Sequence, residues 1–259
     1  MATTHLLRKG NSELASIGVY TWSIPALTAD SEVNGFMKTC PQAGVCAALC
    51  YARSGRYLFG NVKKAHTRNL DRYLINREQW KADMITELQA KRFRPTGVPH
   101  DVSWPVRSDF AWWQSTGARS VRIHDAGDFF DDQYLRDWLE VAAATPDVVF
   151  YAYTKSVTMY RAAEALGLVP ANFVIIFSMG GRQDELVDRT EGADRHDDIF
   201  PTLEALEAAG YTDQEESDLM AALLPTTRIG IVANGIPHFK KKQGSKTFSE
   251  LQETGLRAA

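Results

Sequence analysis

Cysteine is missing from almost all of this 259-residue chain. The only three, Cys40, Cys46 and Cys50, lie within one stretch of eleven residues. A disulfide would use two of them and leave the third unpaired, whereas three thiolates on one loop can converge on a single metal centre. Three buried thiols that pack as small apolar side chains are the alternative, but such packing explains neither the clustering nor the absence of cysteine elsewhere. The pattern therefore predicts a metal site.

The cysteine spacing, five intervening residues and then three, bears on the identity of the metal. A structural zinc site usually combines two closely spaced ligand pairs from separate places, and this chain has no second cysteine pair. One loop with three thiolates can instead bind one face of an iron–sulfur cluster and leave one iron open. We predict such a cluster, with a four-iron, four-sulfur (4Fe-4S) form favoured over a three-iron (3Fe-4S) form. His238, near the last predicted strand end, is a weak candidate for a fourth cluster ligand. A structural zinc site with three cysteines and one histidine as ligands stays open.

Long apolar runs are also absent. No segment reaches the roughly 18 apolar residues of a membrane span, and the first residues form no apolar leader. We therefore expect a cytoplasmic protein without a membrane partner, in a compartment that keeps thiols unpaired. The formal net charge of −3 gives no global attraction to nucleic acid. Nucleic acid is not expected as a partner, although a basic run at residues 239–246 keeps it open.

Composition and periodicity predict an α/β protein. Hydrophobic residues make up 44% of the chain, as in a globular protein, and we treat 1–259 as a single domain. A strand that ends in a polar loop is predicted at 121–128, and two apolar strands follow at 148–153 and 173–178. Helix-period segments separate the three, which predicts parallel strands with right-handed crossovers. Further strands are predicted at 18–24 and 228–233. The core of the domain then comprises residues 15–180, approximately, and the last strand at 228–233. The strand at 18–24 is expected to lead straight into the cysteine loop.

Helical additions accompany this core. They are predicted at 62–75, 77–93, 108–116, 202–209 and 213–224, and a capping box at Thr212 and Glu215 would start the last of them. The charged and helical stretch 184–226 is interpreted as an excursion on the surface, with a lid as the alternative.

Ligands of parallel β/α folds bind at the carboxyl ends of the strands. The predicted strand ends carry polar and glycine residues, so we expect them to form one pocket that faces the cysteines. Gly127 lets the backbone approach a ligand closely, and regular strand geometry directs His124 rather than Asp125 into the pocket. A histidine bonded inside the core and a snorkelling lysine are the structural alternatives. The predicted cofactor-binding residues are His124, Gly127, Asp128, Lys155 and Ser178, and Asn234 ends the last strand.

A three-cysteine loop after the first strand of a β/α fold, with a glycine-and-acid loop after a later strand, resembles the radical S-adenosylmethionine (SAM) superfamily. The resemblance implies a radical-SAM-like partial (β/α) barrel with parallel strands. It also implies that Cys40, Cys46 and Cys50 hold three irons of a 4Fe-4S cluster and that SAM binds the fourth. Gly127 and Asp128 would contact the SAM amino group.

Several separated motifs follow one another over residues 10–180. They are Asn11-Ser-Glu-Leu14, Val19-Tyr-Thr-Trp-Ser-Ile-Pro-Ala26, Thr39-Cys-Pro-Gln-Ala-Gly44, Cys50-Tyr-Ala-Arg-Ser-Gly-Arg-Tyr57, Arg122-Ile-His-Asp-Ala-Gly-Asp-Phe129 and Tyr151-Ala-Tyr-Thr-Lys155. In sequence and order they resemble the "gene product 88" family of actinobacterial phages. The resemblance implies a phage-encoded protein in the host cytoplasm and assigns no reaction.

Three functions stay open at this point. The leading hypothesis is an iron–sulfur cluster-binding phage protein, with a radical-SAM-like enzyme as its finer form. The second is a non-enzymatic iron–sulfur protein that senses redox state or binds a host protein; Leu49 before Cys50, where radical SAM proteins have an aromatic residue, favours it. The third is a structural zinc protein. The sequence identifies neither a substrate nor a host partner.

Overall fold

A computed structural model describes residues 5–93, 119–215, 217–233 and 235–255. The helix predicted at 108–116 and the strand-end residue Asn234 lie outside these ranges. The strands within them are β1 (Arg8–Lys9), β2 (Val19–Trp22), β3 (Thr28–Ser31), β4 (Gly35–Lys38), β5 (Ser120–Ile123), β6 (Val149–Thr154), β7 (Phe173–Ser178), β8 (His196–Phe200), β9 (Thr212–Asp213) and β10 (Arg228–Val232).

The helices within the same ranges are mostly short. They are α1 (Ser12–Ser16), α2 (Cys46–Leu49), α3 (Gly60–Ile75), α4 (Arg77–Leu88), α5 (Asp132–Ala144), α6 (Val157–Ala165), α7 (Leu203–Ala208), α8 (Met220–Leu223), α9 (Pro237–Gln243) and α10 (Phe248–Glu253). None of these helices has the length and apolar content needed to cross a membrane.

Eight strands form one sheet in the order β1-β2-β5-β6-β7-β8-β10-β9, and β3 pairs with β4 in a separate hairpin. Only β1 runs antiparallel to its neighbour in the large sheet; the other pairs are parallel. From β2 to β8 the strands of this sheet follow the chain order, so each is added on the same side; β10 then lies between β8 and β9. The predicted α/β class and the parallel pairing of the predicted strands are thus confirmed.

Apolar side chains cover both faces of this sheet. One face packs against α3, α4, α5 and α6 around the mutually contacting rings of Trp22, Trp80 and Trp138. The opposite face carries a smaller cluster in which Tyr151 and Ile229 meet the residues of α8. This division follows the period of two along a strand, because Phe150 and Ala152 belong to the first cluster and Val149 and Tyr151 to the second.

Two predicted features differ in the structure. Residues 184–226 are not a surface excursion, because they contain β8, which pairs with β7 and β10 inside the sheet. The helix predicted at 213–224 is only the single turn Met220–Leu223, and Thr212 belongs to β9 rather than to a capping box. The sequence of β8 is too polar to predict a strand. Its acidic side chains are nevertheless buried: Asp198 is hydrogen-bonded, and Asp197 lines a cavity.

Candidate functional site

A cavity of about 220 Å³ lies where β2, β5, β6, β7, β8 and β10 reach their carboxyl ends. The three cysteines line it, so the cysteine loop faces the strand ends as predicted. The other predicted site residues also line it: His124, Gly127, Asp128, Lys155 and Ser178. All eight predicted residues thus lie at one location, and the rule for strand ends in parallel folds accounts for the five that are not cysteines.

The cysteine loop is fixed by backbone contacts from both sides. The hairpin of β3 and β4 separates it from β2, so the first predicted strand does not lead straight into it. The Leu27 amide donates to Cys40 Sγ at 3.2 Å, and the Cys46 amide donates to the Gly180 carbonyl at 3.1 Å. A β-bridge between Ala43 and Gly181 ties the loop to the chain after β7. The loop is thus held against the strand ends without any disulfide.

The three thiols are free and are partly shielded from solvent. Burial raises the pKa of each of them, and the pKa of Cys50 rises to about 11. The charge of Lys155 partly opposes this effect at Cys46. Among the described residues, no three His, Cys, Asp or Glu side chains lie close enough to share one metal ion. Without a bound cation, the thiols would be protonated at neutral pH.

Lys155 is a buried cation at this site. Its Nζ donates to the Ser178 carbonyl at 2.9 Å, to Ser178 Oγ at 2.7 Å and to the Met179 carbonyl at 3.1 Å. Burial disfavours its charge, but the thiolate form of Cys46 and the carboxylates of Asp197, Asp184 and Asp128 together outweigh burial and raise the pKa of Lys155. The side chain is therefore a fixed ammonium group beside the cysteines rather than one that snorkels to the surface.

Asp128 is in the cavity wall, but its carboxylate is used within the protein. Oδ1 accepts from Thr154 Oγ1 at 2.6 Å and from the Phe129 amide at 2.7 Å, and Oδ2 accepts from the Lys155 amide at 3.0 Å. These bonds connect the loop after β5 to the end of β6. The neighbouring Gly127 has a φ of +94°, and a Cβ there would lie 2.3 Å from Ile24 Cγ1. In the structure, Gly127 permits close packing on Ile24.

His124 departs from the regular strand geometry that the sequence suggested. Its φ is +69°, which turns the chain after β5, and both His124 and Asp125 line the cavity. The Tyr134 hydroxyl accepts from Trp22 Nε1 at 2.9 Å and lies 3.0 Å from His124 Nε2. Burial lowers the pKa of His124 to about 3, so the ring is neutral. The other ring nitrogen, Nδ1, has no hydrogen-bond partner among the described residues.

Asp197 of β8 is a cavity residue that the sequence did not reveal. Its side chain is almost fully buried, and Oδ1 has no hydrogen-bond partner within the described ranges. Burial raises the pKa of Asp197 to about 7, although the charge of Lys155 opposes the rise. The only sequence signal was the apolar pair Ile199 and Phe200 after two acids, which is too short to indicate a strand.

Arg122 lies in the cavity wall formed by β5 and β6. Its guanidinium forms an ion pair with Asp218 at 3.0 Å and stacks over the Tyr153 ring, 5.0 Å from its centroid. The Tyr51 hydroxyl, 3.4 Å from Arg122, donates to the Asp125 carbonyl at 2.5 Å. Tyr51 follows the last cysteine, so this network connects the cysteine loop to β5.

The C-terminal helices close another side of the cavity. Phe239 and Gln243 of α9 and Phe248 of α10 line it. Asp198 Oδ1 accepts from the Phe248 amide at 3.1 Å, which anchors the start of α10 to β8. The Gln252 side chain accepts from the Val45 amide at 2.7 Å and so connects α10 to the cysteine loop.

The chain belongs to the Gene product 88 family, whose model matches residues 4–257. This match confirms the family that the ordered motifs resemble and extends it over nearly the whole chain. No curated protein matches the chain, and neither does any solved structure.

Proposed function

We propose that this member of the Gene product 88 family binds an iron–sulfur cluster through Cys40, Cys46 and Cys50. The observation that carries the proposal is that three free thiols, the only ones in the chain, line one cavity at the carboxyl ends of parallel strands. A buried thiol becomes an anion when a metal cation binds it, so metal binding would offset the raised pKa values.

The donor set fits a cluster better than a single zinc ion. In a zinc site every sulfur lies about 2.3 Å from the same ion, which draws the thiolates together. No such close group exists in the described part of the chain, and His238 does not line the cavity. In a cluster each thiolate binds a different iron and the sulfurs can lie further apart. The hydrogen bond from the Leu27 amide to Cys40 Sγ is also of the kind that tunes the reduction potential of a cluster.

When bound, such a cluster supplies one-electron transfer. The chain's own residues supply the surroundings. Lys155 holds a positive charge beside the sulfurs, His124 presents a neutral ring whose Nδ1 has no partner in the described part of the chain, and Phe239 and Phe248 restrict the access of water. These contributions serve a redox protein and an enzyme equally.

The finer proposal is that the cavity also binds SAM, as in a radical-SAM-like enzyme with a partial (β/α) barrel. The parallel strands from β2 to β8, added in chain order on one side, and the cysteines at the carboxyl ends of the strands support it. Asp197 is better suited than Asp128 to hold the ligand's amino group, because only Asp197 keeps a carboxylate oxygen without a partner in the described residues.

Anaerobic purification, followed by visible absorption and by iron and sulfide analysis, tests the cluster. We expect a brown protein, and loss of most iron and sulfide in Cys40→Ser, Cys46→Ser and Cys50→Ser. Ala47→Ser, which places a hydroxyl on the same loop and keeps every thiol, is the matched control and should retain them. Full iron content in two of the three cysteine variants, or stoichiometric zinc instead of iron, would overturn the proposal.

Calorimetric titration with SAM, with electron paramagnetic resonance of the reduced protein, tests the finer proposal. Asp197→Asn should weaken SAM binding roughly tenfold or more, the scale of a lost charge-assisted hydrogen bond. Its iron content should stay unchanged. A cluster-loaded protein that does not bind SAM would instead be a non-enzymatic redox or host-interaction protein.

A further inference from the structure

The net charge of −3 conceals an uneven distribution of charge along the chain. Residues 33–70 hold six Lys and Arg and no Asp or Glu, and residues 219–249 hold five and again no acid. The rest of the chain carries 18 Lys and Arg against 32 Asp and Glu. Two basic segments, far apart in sequence, therefore occur in an otherwise acidic protein.

The fold brings these two segments together at the cavity. The first contains the cysteine loop, and the second contains α9, which packs against α2. Cys46 and Cys50 from the first segment and Phe239 and Gln243 from the second line the same cavity. Between the two lining residues of α9, Lys240, Lys241 and Lys242 are exposed. In the first segment, Arg53 lies close enough to the cavity residue Cys50 for its charge to act on that thiol, so cations from both segments flank the cavity.

A second depression, of about 510 Å³, is lined by residues of α3, β1 and the end of β2. We call it the basic groove, defined by Arg8, Lys64, His66 and Arg68; no Asp or Glu lines it among the described residues. Lys64 and Arg68 are exposed and form no ion pair with a carboxylate in the described ranges. Three cations without a facing acid favour an anionic ligand.

Aromatic side chains join the basic groove to the cavity. The Tyr57 ring lies 6.2 Å from the His66 ring in the groove and 5.6 Å from the Tyr51 ring, which lines the cavity. Tyr51 and Phe59 are 38% and 59% exposed, although aromatic rings of this size are mostly buried. Exposed aromatic faces among Lys and Arg are typical of sites on which unpaired bases stack.

We propose that this face binds single-stranded nucleic acid, with phosphates in the basic groove and along α9, and with one nucleotide directed to the cavity. Charge complementarity accounts for binding of the phosphate backbone of the nucleic acid. The row of Tyr51, Tyr57 and His66 accounts for stacking of its bases. An acidic protein or a membrane would use the cations but would not need the aromatic row. The proposal does not require a metal and holds whether or not the cysteines bind a cluster.

Fluorescence anisotropy with labelled single-stranded oligonucleotides tests it on the full chain, with RNA and DNA of the same sequence as separate arms. We expect binding that weakens steeply with salt, since each phosphate contact contributes a slope of about −0.7 on a logarithmic plot. Lys64→Glu with Arg68→Glu should weaken binding roughly tenfold or more and lower the slope. Lys240→Glu with Lys241→Glu should have a similar effect.

The matched control reverses two exposed cations outside both basic segments, Lys91→Glu with Arg136→Glu. It changes the net charge by the same amount and should leave binding within about twofold. If the control variant bound the oligonucleotide as weakly as the other two variants, the loss of binding would follow from net charge alone, and the proposal would be overturned. No binding at low salt, equal affinity for a duplex of the same length, or equally tight binding of polyglutamate would overturn it as well. A preference for RNA or DNA would support it and identify the source of the strand.

Discussion

His124 has both an unusual backbone conformation and an unusually low side-chain pKa. A φ of +69° is uncommon for a non-glycine residue, and such strain is found more often at functional sites than elsewhere. The buried Nδ1, which has no partner in the described ranges, also points to a function for the cavity. The sequence correctly placed His124 at a strand end, but it could not show the turn that brings Asp125 to the same cavity.

The depressed pKa of His124 predicts how stability depends on pH. Burial lowers the pKa to about 3, whereas an unfolded histidine titrates near 6.5. Below about pH 6.5 the unfolded chain therefore binds a proton that the native protein does not, and the free energy of unfolding falls by up to about 1.4 kcal/mol per pH unit. His124→Asn cannot titrate, and asparagine tolerates positive φ.

Urea unfolding of the metal-free protein and of His124→Asn between pH 7 and pH 4 would measure this contribution. Asp197 acts in the opposite direction in both proteins, because burial raises its pKa to about 7, so its effect cancels in the comparison. We expect the stability of the unmodified protein to fall toward that of the variant as the pH falls. Parallel curves would show that His124 is not the buried neutral group described.

Gly127 gives a prediction about packing. Gly127→Ala would place a methyl group 2.3 Å from Ile24 Cγ1 at a φ of +94°. We expect a cost of about 1–2 kcal/mol for the left-handed backbone and about 1–3 kcal/mol more for the overlap, measured by urea unfolding. Gly167→Ala is the matched control, because its φ is +69° and nothing lies within 4 Å of the added group. Equal costs at the two positions would contradict the packing role of Gly127.

At the scale of elements, the sequence predicts strands well where apolar residues dominate and fails where buried acids replace them. β6 and β7 are almost wholly apolar and were predicted closely, whereas β8 begins with His196, Asp197 and Asp198. Burial of Asp198 is possible because Ser249 and the amides that start α10 bind its carboxylate. Those partners lie some fifty residues away in sequence, so no local pattern could reveal them.

The contact between α10 and the cysteine loop gives a prediction at the same scale. Gln252→Ala removes the bond to the Val45 amide, which we expect to let the loop open more often. A lost bond of about 1 kcal/mol corresponds to roughly fivefold faster alkylation of the cysteines in the reduced, metal-free protein. Glu253→Ala, at the next position, is the control, because Glu253 is exposed and Arg189 is its only ion-pair partner among the described residues. Equal alkylation rates in the two variants would show that the contact with α10 does not keep this loop closed.

At the scale of the molecule, the interior of the sheet, leaving aside its edge strands β1 and β9, contains one thin connection. β7 and β8 share two paired positions, Phe177 with His196 and Ser178 with Asp197, whereas β6 and β7 share five, as do β8 and β10. The chain between them, residues 179–195, contains only one short helical turn. The sheet therefore consists of a part from β1 to β7 and a part from β8 to β10 that meet along a short seam, and the cavity spans this seam.

Native-state hydrogen exchange should detect the seam as two opening units. We expect the amides of β8 and β10 to exchange through a lower-energy opening than those of β5 and β6, because fewer strand-to-strand bonds hold β8 to β7. A group bound in the cavity would contact both parts of the sheet. The cysteines and Lys155 line it on the side of the first part, and Asp197 and α9 on the side of the second. Binding should therefore slow exchange most in β8 and β10. The comparison of metal-free with iron-reconstituted protein measures this difference directly. One common opening energy across all four strands, unchanged by reconstitution, would show that the sheet opens as a single unit and that the cavity contents do not bridge it.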